Sequence, residues 1–329
     1  MPNIFSVPVL LIAFNRPEHT RRVLSEILKA HPARLYVFQD GTREGNTDDV
    51  IKCQQVRSII GEMTRGQEVD LNLYYSDKNL GCGPGPAAAI TWLFEHEEQG
   101  IILEDDAVPH PDFFPFAQQL LDRYNDNAEI MAIGSMKLGT EKYGDGSYFF
   151  SKMNHTLCAW ATWKRAWALF DLELKDLSEK QLNHILKRYG AKLREREYWC
   201  ERLSEIHQDL YGNSSWDQQF WMSIWKNGGK GILPNVNLCS NIGFDKSGTH
   251  TQDSLSPASN VPTESIFPIV CPSTEAIDRT ADEYFQKTYF QPWAYGRIGF
   301  KNLPFRINKR IKRIVGHKGP WIKQEDRNI

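Results

Sequence analysis

The chain is organised around the stretch Gly100-Ile-Ile-Leu-Glu-Asp-Asp-Ala-Val-Pro109. Its apolar run, Ile101–Leu103, is short and uninterrupted, which is typical of a strand buried on both faces of a parallel sheet. Three acids, Glu104–Asp106, follow at once, and crowded carboxylates at the end of a buried strand need a cation to offset their repulsion. Mg²⁺ and Mn²⁺ suit this position because they bind one or two carboxylates together with phosphates. A solvated acidic turn is the alternative interpretation.

Composition indicates a soluble globular chain with a substantial core. Of its 329 residues 41% are hydrophobic and 12% are aromatic, enough for one large domain or two joined ones. The net charge of −2 and the sequence pI near 6.5 argue against a nucleic-acid partner. Ten tryptophans provide rings on which sugar faces can stack, although some of them will simply fill the core.

Cysteine spacing and hydropathy favour a cytoplasmic location. The six cysteines are scattered without CxxC pairs, so neither a zinc site nor a disulfide framework is predicted. No run reaches the roughly 18 apolar residues of a membrane span. The apolar start, Ile4–Phe14, lacks a basic segment before it and contains Pro8, so it predicts a first strand rather than a signal peptide.

The first third of the chain alternates strands with helices. Strands are predicted at 7–14, 35–38 and 71–75, with helices beginning at Pro17, near Thr47 and after the glycine-rich stretch. This alternation predicts a largely parallel sheet covered on both faces. Ligands of such sheets bind beyond the carboxyl ends of the strands. The segments that follow those ends should therefore converge; they are Arg16, Asp40, the Gly81–Gly85 loop and Glu104–Asp106.

The glycine-rich stretch Gly81-Cys-Gly-Pro-Gly85 matches neither a Walker loop nor a GxGxxG fingerprint. A plain helix entry is one interpretation. The other is a backbone at Gly81 and Gly83 that lets a nucleotide or its sugar approach closely.

Four motifs, taken in order, resemble a GT-A nucleotide-sugar glycosyltransferase over residues 7–252. Within that fold the chain is similar to the family of the Golgi enzyme that adds N-acetylglucosamine to the mannose core of N-glycans. The resemblance implies a GT-A, Rossmann-like α/β fold with a mostly parallel sheet. The motifs are Ala13-Phe-Asn-Arg-Pro17, Phe38-Gln-Asp-Gly41, Asn79-Leu-Gly-Cys-Gly83 and Ile102-Leu-Glu-Asp-Asp-Ala-Val-Pro-His-Pro-Asp-Phe-Phe114.

The resemblance assigns roles residue by residue. Asp106 inherits the ligand role for Mn²⁺ (or Mg²⁺), the cation that bridges the diphosphate. Asp40 corresponds to the aspartate that meets the uracil. Trp160 falls in an aromatic stretch that the family places beneath the donor sugar, and Trp216 in one beside its catalytic acid. Both are expected to contact the nucleotide sugar. The other positions with this expected role are Arg16, Gly81, Gly83, Glu104 and Asp105.

The stretch Ser214-Ser-Trp-Asp217 opens a predicted helix. Ser214 is a good N-cap, which would put Asp217 at the third helical position, where an acid complements the helix dipole. This structural role is one interpretation of Asp217. The family places its general base in this context, where a carboxylate takes the proton of the acceptor hydroxyl. Farther on, Ser247 and His250 resemble a family loop that closes over the nucleotide, with an ordinary polar loop as the alternative.

Three parts are predicted: a nucleotide-sugar-binding half at 1–135, an acceptor and catalytic half at 136–260, and a C-terminal extension at 261–329. The extension contains a basic, partly apolar segment at 297–318. That segment predicts either a solvated helix or peripheral contact with an anionic bilayer, which would place the enzyme at the inner face of the cell membrane.

These features together predict a metal-dependent, inverting glycosyltransferase. It would use a UDP-sugar, with N-acetylglucosamine as the expected sugar, and a glycan or lipid-linked saccharide acceptor in polysaccharide biosynthesis. A sugar-1-phosphate nucleotidyltransferase is the alternative enzyme, although its GxGxR loop is replaced here by Ala13-Phe-Asn-Arg-Pro17. A non-catalytic glycan-binding protein on the same fold is the alternative from another class.

Overall fold

The computed structural model describes residues 5–153, 155–208, 216–244, 256 and 258–291. The strands are β1 (Val9–Ala13), β2 (Arg34–Gln39), β3 (Asp70–Tyr75), β4 (Gln99–Glu104), β5 (Ala107–Pro109), β6 (Ile130–Gly134), β7 (Tyr148–Ser151), β8 (Trp160–Trp163), β9 (Lys230–Pro234) and β10 (Cys239–Asn241). The helices are α1 (Pro17–Lys29), α2 (Thr47–Thr64), α3 (Pro84–His96), α4 (Phe113–Arg123), α5 (Lys164–Trp167), α6 (Glu179–Arg188), α7 (Leu193–His207), α8 (Asp217–Lys226) and α9 (Arg279–Phe285), followed by a π-helical turn at Gln286–Phe290.

The central feature is an eight-stranded, mostly parallel sheet in the order β3-β2-β1-β4-β8-β6-β9-β7. Strands β3, β2, β1 and β4 run parallel, and β6 runs parallel to β9. Strands β8 and β7 are antiparallel to their neighbours. Helices flank the sheet, with α3 and α4 packed on β4. The predicted α/β class with a mostly parallel sheet is confirmed.

The local sequence explains the first half of the sheet. Ile101–Leu103 are completely buried in β4, as an uninterrupted apolar run in a central parallel strand should be. Pro17 stands at the start of α1, where its fixed φ suits the first turn and its missing N–H costs nothing. Val23, Leu24 and Ile27 then form the buried stripe of that helix.

Strand register brings the ends of β1, β2 and β4 to one edge of the sheet. Ala13 lies opposite Gln39, and Ile12 lies opposite Glu104. Strand β5 then leaves the main sheet and pairs antiparallel with β10, which sets Asn241 opposite Ala107. The residues after β1, β2 and β4 therefore meet a segment from much later in the chain.

The tryptophan-rich stretch forms the middle of the sheet. Trp160–Trp163 form strand β8, and the four-residue helix α5 follows. Trp160 lies opposite both Ile102 and Gly134, so β8 fills the gap between β4 and β6. Aromatic and β-branched residues suit a strand packed on both faces.

The chain divides into two compact units, one of residues 1–172 with 214–278 and one of residues 173–213 with 279–329. The predicted halves, 1–135 and 136–260, were assigned to one domain, and their boundary stays a prediction; β4 and β8, one from each half, are neighbours in one sheet. In the second unit the ring of Trp199 packs edge-on against Phe290, with 4.8 Å between centroids. Within the described ranges, no helix has the length and apolarity to cross a membrane.

Candidate active site at the carboxyl edge of the sheet

Arg16 joins the acids that follow β4. It precedes α1, and its Nη1 lies 3.3 Å from Oδ1 of Asp105 and 2.9 Å from Oδ2 of Asp106. The backbone N–H of Phe14 donates to Asp105 at 3.3 Å. The segment after β1 and the segment after β4 therefore meet, as expected for the carboxyl edge of a parallel sheet.

The acids form a strongly unfavourable cluster of negative charge. Burial, followed by the charges of Asp106, Asp105 and Asp217, raises the pKa of Glu104 to about 8. Burial also raises the pKa of Asp105 to about 6, against the opposing effect of the Arg16 guanidinium. Among the residues that the structure describes, Arg16 is the guanidinium paired with these carboxylates, and its single charge leaves room for a further cation at this edge.

Asp217 reaches the same cluster from the N-terminus of α8. The helix begins at Asp217 with Trp216 as its N-cap, so Asp217 occupies the first helical position rather than the predicted third. Its charge contributes to the raised pKa of both Glu104 and Cys82, so it lies within electrostatic range of the acids and of the glycine loop. The local sequence could not predict this proximity, because more than 100 residues lie between Glu104 and Asp217.

The two tryptophans proposed for sugar binding pack against each other. The rings of Trp160 and Trp216 are stacked with 5.6 Å between centroids, and Phe220 packs against Trp160 from α8. Trp160 is 1% exposed and Trp216 is 5% exposed. In this arrangement both rings support the start of α8 beside Asp217, and their contact with a sugar stays a prediction.

Asp40 holds a loop together. Its Oδ1 accepts from the backbone N–H groups of Gly41 and Leu80 at 2.9 and 2.8 Å. Its Oδ2 accepts from the N–H of Gly81 at 3.0 Å and from the Asn79 amide at 3.1 Å. These four donors use the acceptor positions of the carboxylate. A bond to uracil would therefore have to replace one of them, and base recognition by Asp40 stays a prediction.

Glycines around Asp40 allow the backbone to adopt two conformations that a side chain would disfavour. A Cβ on Gly41 would clash with the backbone of Lys78, so the segments after β2 and β3 lie in close contact. Gly81 has a φ of +80°, and Gly83 is the N-cap of α3. Cys82 stands between them near Glu104, Asp40 and Asp217, and burial raises its pKa. The loop thus borders the acid cluster.

Residues 241–243, the start of the segment that resembles the family's nucleotide loop, lie across Asp106. The N–H of Ile242 donates to the Asp106 backbone carbonyl at 2.9 Å, and a Cβ on Gly243 would clash with Asp106 Oδ2. The side chain of Asn241 holds the turn by accepting from the Gly243 N–H at 2.8 Å. On the other side, Nε2 of His19 lies 3.4 Å from the Ile242 carbonyl. The β5–β10 pairing creates this contact.

The donor set fits a cation that is held jointly with phosphates. No group of three or more His, Cys, Asp or Glu side chains arranged to hold a metal occurs in the part of the chain that the structure describes. Mg²⁺ and Mn²⁺ commonly use one or two carboxylates and complete their shell with water and substrate phosphates. Asp106, with Asp105 beside it, offers such a partial shell, and the metal assignment stays a prediction.

A cavity of about 480 Å³ lies at the opposite edge of the sheet and is lined by residues that include Pro8, Arg34 and Glu97. In it Arg34 lies 2.7 Å from Glu97, and the Tyr36 hydroxyl donates to Glu97 at 2.8 Å. The buried acids with raised pKa values at the carboxyl edge make that edge the stronger candidate for chemistry. Ser247, His250 and the basic segment 297–318 lie outside the described residues.

Comparison with known proteins finds similarity in structure and none in sequence. The sequence matches no protein-family model and no curated protein. A UDP-glucose pyrophosphorylase complexed with UDP-glucose is similar over 69% of this chain and 90% of its own, with a TM-score of 0.37 and 9% identity. The 4-diphosphocytidyl-2C-methyl-D-erythritol synthase from Anaerococcus prevotii is similar over 50% and 73%, with a TM-score of 0.27 and 10% identity.

Both similar proteins are nucleotidyltransferase-like enzymes by name, the class that the sequence offers as the alternative. Neither is an N-acetylglucosaminyltransferase, so the resemblance to the Golgi family rests on the sequence motifs. At these TM-scores the reaction of the present chain has to be argued from its own site.

Proposed function

We propose that the chain is an enzyme that binds a sugar nucleotide with a divalent cation at the carboxyl edge of the sheet and transfers the sugar to a hydroxyl acceptor. The observation that carries this proposal is the position of Asp217 relative to the acids: its neighbour Trp216 stacks on Trp160, which pairs with Ile102 of β4, and the charge of Asp217 raises the pKa of Glu104. A carboxylate at the start of α8 can serve as a base, while the acids after β4 can hold the cation. Two separate carboxylate functions are what an inverting transfer requires.

Each part of the site has a role in this reaction. Asp106 would hold Mn²⁺ or Mg²⁺, and the bound cation supplies positive charge for the departing diphosphate. Asp217 accepts the proton of the acceptor hydroxyl as its oxygen attacks the anomeric carbon. Arg16 offers a planar guanidinium that can pair with phosphate oxygens. Glycines of the 81–83 loop allow the nucleotide to approach the backbone.

Nucleotidyl transfer is the second candidate. The same acids and cation would also suit attack of a sugar phosphate on a nucleoside triphosphate, and the similar structures, a UDP-glucose pyrophosphorylase and a 4-diphosphocytidyl-2C-methyl-D-erythritol synthase, are nucleotidyltransferase-like enzymes. The segment after β1 argues against it, since Ala13-Phe-Asn-Arg-Pro17 lacks a glycine-rich phosphate loop. The two reactions break different bonds and are separable by their products.

Product analysis tests the proposal. The protein is incubated with UDP-, GDP- and dTDP-sugars and Mn²⁺, with and without pyrophosphate, and the nucleotides are separated by chromatography. Sugar transfer, or slow transfer to water, releases UDP whether or not pyrophosphate is present. Formation of UTP and sugar 1-phosphate only with pyrophosphate would replace the proposal by nucleotidyl transfer. Absence of both products, and of any nucleotide binding, would favour a glycan-binding protein.

A further inference from the structure

We infer that Arg16 and the divalent cation compete for one carboxylate oxygen, Oδ2 of Asp106, so that cation binding depends on a diphosphate that draws Arg16 away. This inference deepens the proposed function and rests on it for the identity of the diphosphate. The competition itself rests on the geometry around Asp106. Arg16 is accordingly a positioning residue that couples two ligands.

The geometry leaves little room for a cation beside Arg16. Nη1 of Arg16 lies 2.9 Å from Asp106 Oδ2, and Gly243 packs against the same oxygen. The other oxygen, Oδ1, faces the Asn241 amide at 3.5 Å. The side chains of Arg16 and Asp106 are only 15% and 14% exposed. Water therefore screens the pair weakly, and a divalent cation at Oδ2 would be repelled strongly by the guanidinium.

The backbone of Arg16 is fixed, so the movable part is the side chain. Both the N–H and the hydroxyl of Thr20 donate to the Arg16 carbonyl, each at 2.9 Å. The guanidinium also contacts Asp105 Oδ1 at 3.3 Å, which gives it a second carboxylate within reach. A change of side-chain rotamer can therefore release Asp106 without disturbing the start of α1.

A diphosphate supplies the reason for that movement. Guanidinium groups bind phosphate oxygens through paired, charge-assisted hydrogen bonds, which replace the bond lost to Asp106. Once Arg16 has turned to the phosphate, the cation can take Oδ2 and bridge to the same phosphates. By linkage, the factor by which UDP tightens Mn²⁺ binding equals the factor by which Mn²⁺ tightens UDP binding.

The test measures Mn²⁺ binding by water-proton relaxation, without and with UDP, in the wild type and in Arg16→Gln. Removing the competing charge should tighten the binding of Mn²⁺ alone by at least about tenfold. The enhancement by UDP should be smaller than in the wild type, because the part that comes from drawing Arg16 away is lost and only the part from phosphate ligands remains. Arg21→Gln is the matched control. Arg21 is an exposed residue of α1, so this substitution removes one positive charge from the same helix. It should behave like the wild type.

Three further variants keep the inference falsifiable. Arg16→Met also removes the charge, with an apolar side chain in place of the amide. It should reproduce the tight Mn²⁺ binding, and it takes the place of Arg16→Gln if that variant folds poorly. Arg16→Lys keeps the charge, so Mn²⁺ alone should bind as weakly as in the wild type. The double variant Arg16→Gln/Asp106→Asn should lose the tight binding.

Two results would overturn the competition: Mn²⁺ binding that is no tighter in either neutral variant, or tight binding that persists without the Asp106 carboxylate. Failure of the proposed function looks different. In that case UDP changes Mn²⁺ binding in no variant, while Arg16→Gln still binds Mn²⁺ more tightly than the wild type. The Mn²⁺-only arm thus tests the competition, and the UDP arm tests the function.

Discussion

Gly243 lies directly against the carboxylate of Asp106, so closely that a Cβ at this position would overlap Oδ2. Two segments more than 130 residues apart thus share one small space beside the proposed cation ligand. The β5–β10 pairing fixes this approach, since Asn241 is opposite Ala107 in the ladder. Room at this point is a condition for the chemistry proposed at the site.

Gly243→Ala should therefore impair the site. The added methyl group would overlap Oδ2, Cγ and Cβ of Asp106, so the Asp106 side chain has to move and its ion pair with Arg16 is disturbed. We expect Mn²⁺-dependent UDP affinity to fall at least about tenfold, which is 1.4 kcal/mol. The free energy of unfolding should fall by about 1–3 kcal/mol, the usual cost of overpacking, and the chain should stay folded.

Gly61→Ala is the control for this substitution. Gly61 lies in α2 with nothing near its missing Cβ, so alanine should leave binding unchanged and stabilise the helix by up to about 1 kcal/mol. Normal Mn²⁺–UDP binding in Gly243→Ala would show that Asp106 has no role that depends on its position.

Asp217→Asn should separate catalysis from binding. Asparagine keeps the shape at the start of α8 but takes no proton at neutral pH, so transfer should fall by about 10²–10⁴-fold while Mn²⁺–UDP affinity is retained. Initial rates and calorimetric titration give the two quantities.

Asp48→Asn shows what the loss of a helix-start acid costs by itself. Asp48 is an exposed acid in the first turn of α2, and its replacement should cost at most about 1 kcal/mol of stability and no activity. A near-normal transfer rate in Asp217→Asn would remove the assignment of the base.

The raised pKa of Glu104 predicts a distinctive pH dependence of stability. Folded protein keeps the Glu104 proton up to a pKa of about 8, whereas the unfolded chain releases it near its ordinary value of about 4.3. Without a divalent cation, the free energy of unfolding should fall as pH rises from about 4 to about 8. Asp105, with its pKa near 6, adds to the fall over the lower part of that window.

Denaturant unfolding across this pH range measures the effect. Glu104→Gln should flatten the slope and raise stability at pH 8, while Glu62→Gln on the exposed side of α2 should not. Mn²⁺ with UDP should restore more stability at pH 8 than at pH 5, because it binds the ionised cluster. A slope that Glu104→Gln leaves unchanged would place its origin elsewhere.

Asp40→Ala should destabilise the fold because it leaves the backbone N–H groups of Leu80 and Gly81 without their acceptor, at a cost of about 1–3 kcal/mol or more, while the Gly41 N–H keeps the Lys78 carbonyl. Asp77 is an exposed acid near the same loop, and Asp77→Ala should have little effect on stability. Urea unfolding checks both variants. If Asp40→Ala keeps normal stability but loses UDP affinity, Asp40 acts on the nucleotide rather than on the loop.

Local sequence patterns predicted the first half of the sheet well. The buried run Ile101–Leu103, the helix start at Pro17 and the positions of Arg16 and Asp106 after their strands all follow from short-range rules. The carboxyl-edge rule then places Arg16 beside Asp106 without any knowledge of side-chain contacts.

Contacts between distant segments set the rest of the site. Trp160–Trp163 became a strand because a gap between β4 and β6 had to be filled, which no local pattern specifies. The position of Asp40 after β2 assigned it to recognition of the uracil. Its four hydrogen-bond donors come from its own neighbour and from a loop about 40 residues later. Gly243 reaches Asp106 through the β5–β10 pairing.

The most direct test of the account is a calorimetric titration of UDP into the wild type and Asp106→Asn, each with and without Mn²⁺. Asp122→Asn, an exposed acid on α4, serves as the control for lost charge. We predict that Mn²⁺ strengthens UDP binding in the wild type and in Asp122→Asn, and that Asp106→Asn abolishes this enhancement while the protein stays folded. An equal Mn²⁺ effect in Asp106→Asn, or none in the wild type, would contradict a cation and nucleotide site at the carboxyl edge of the sheet.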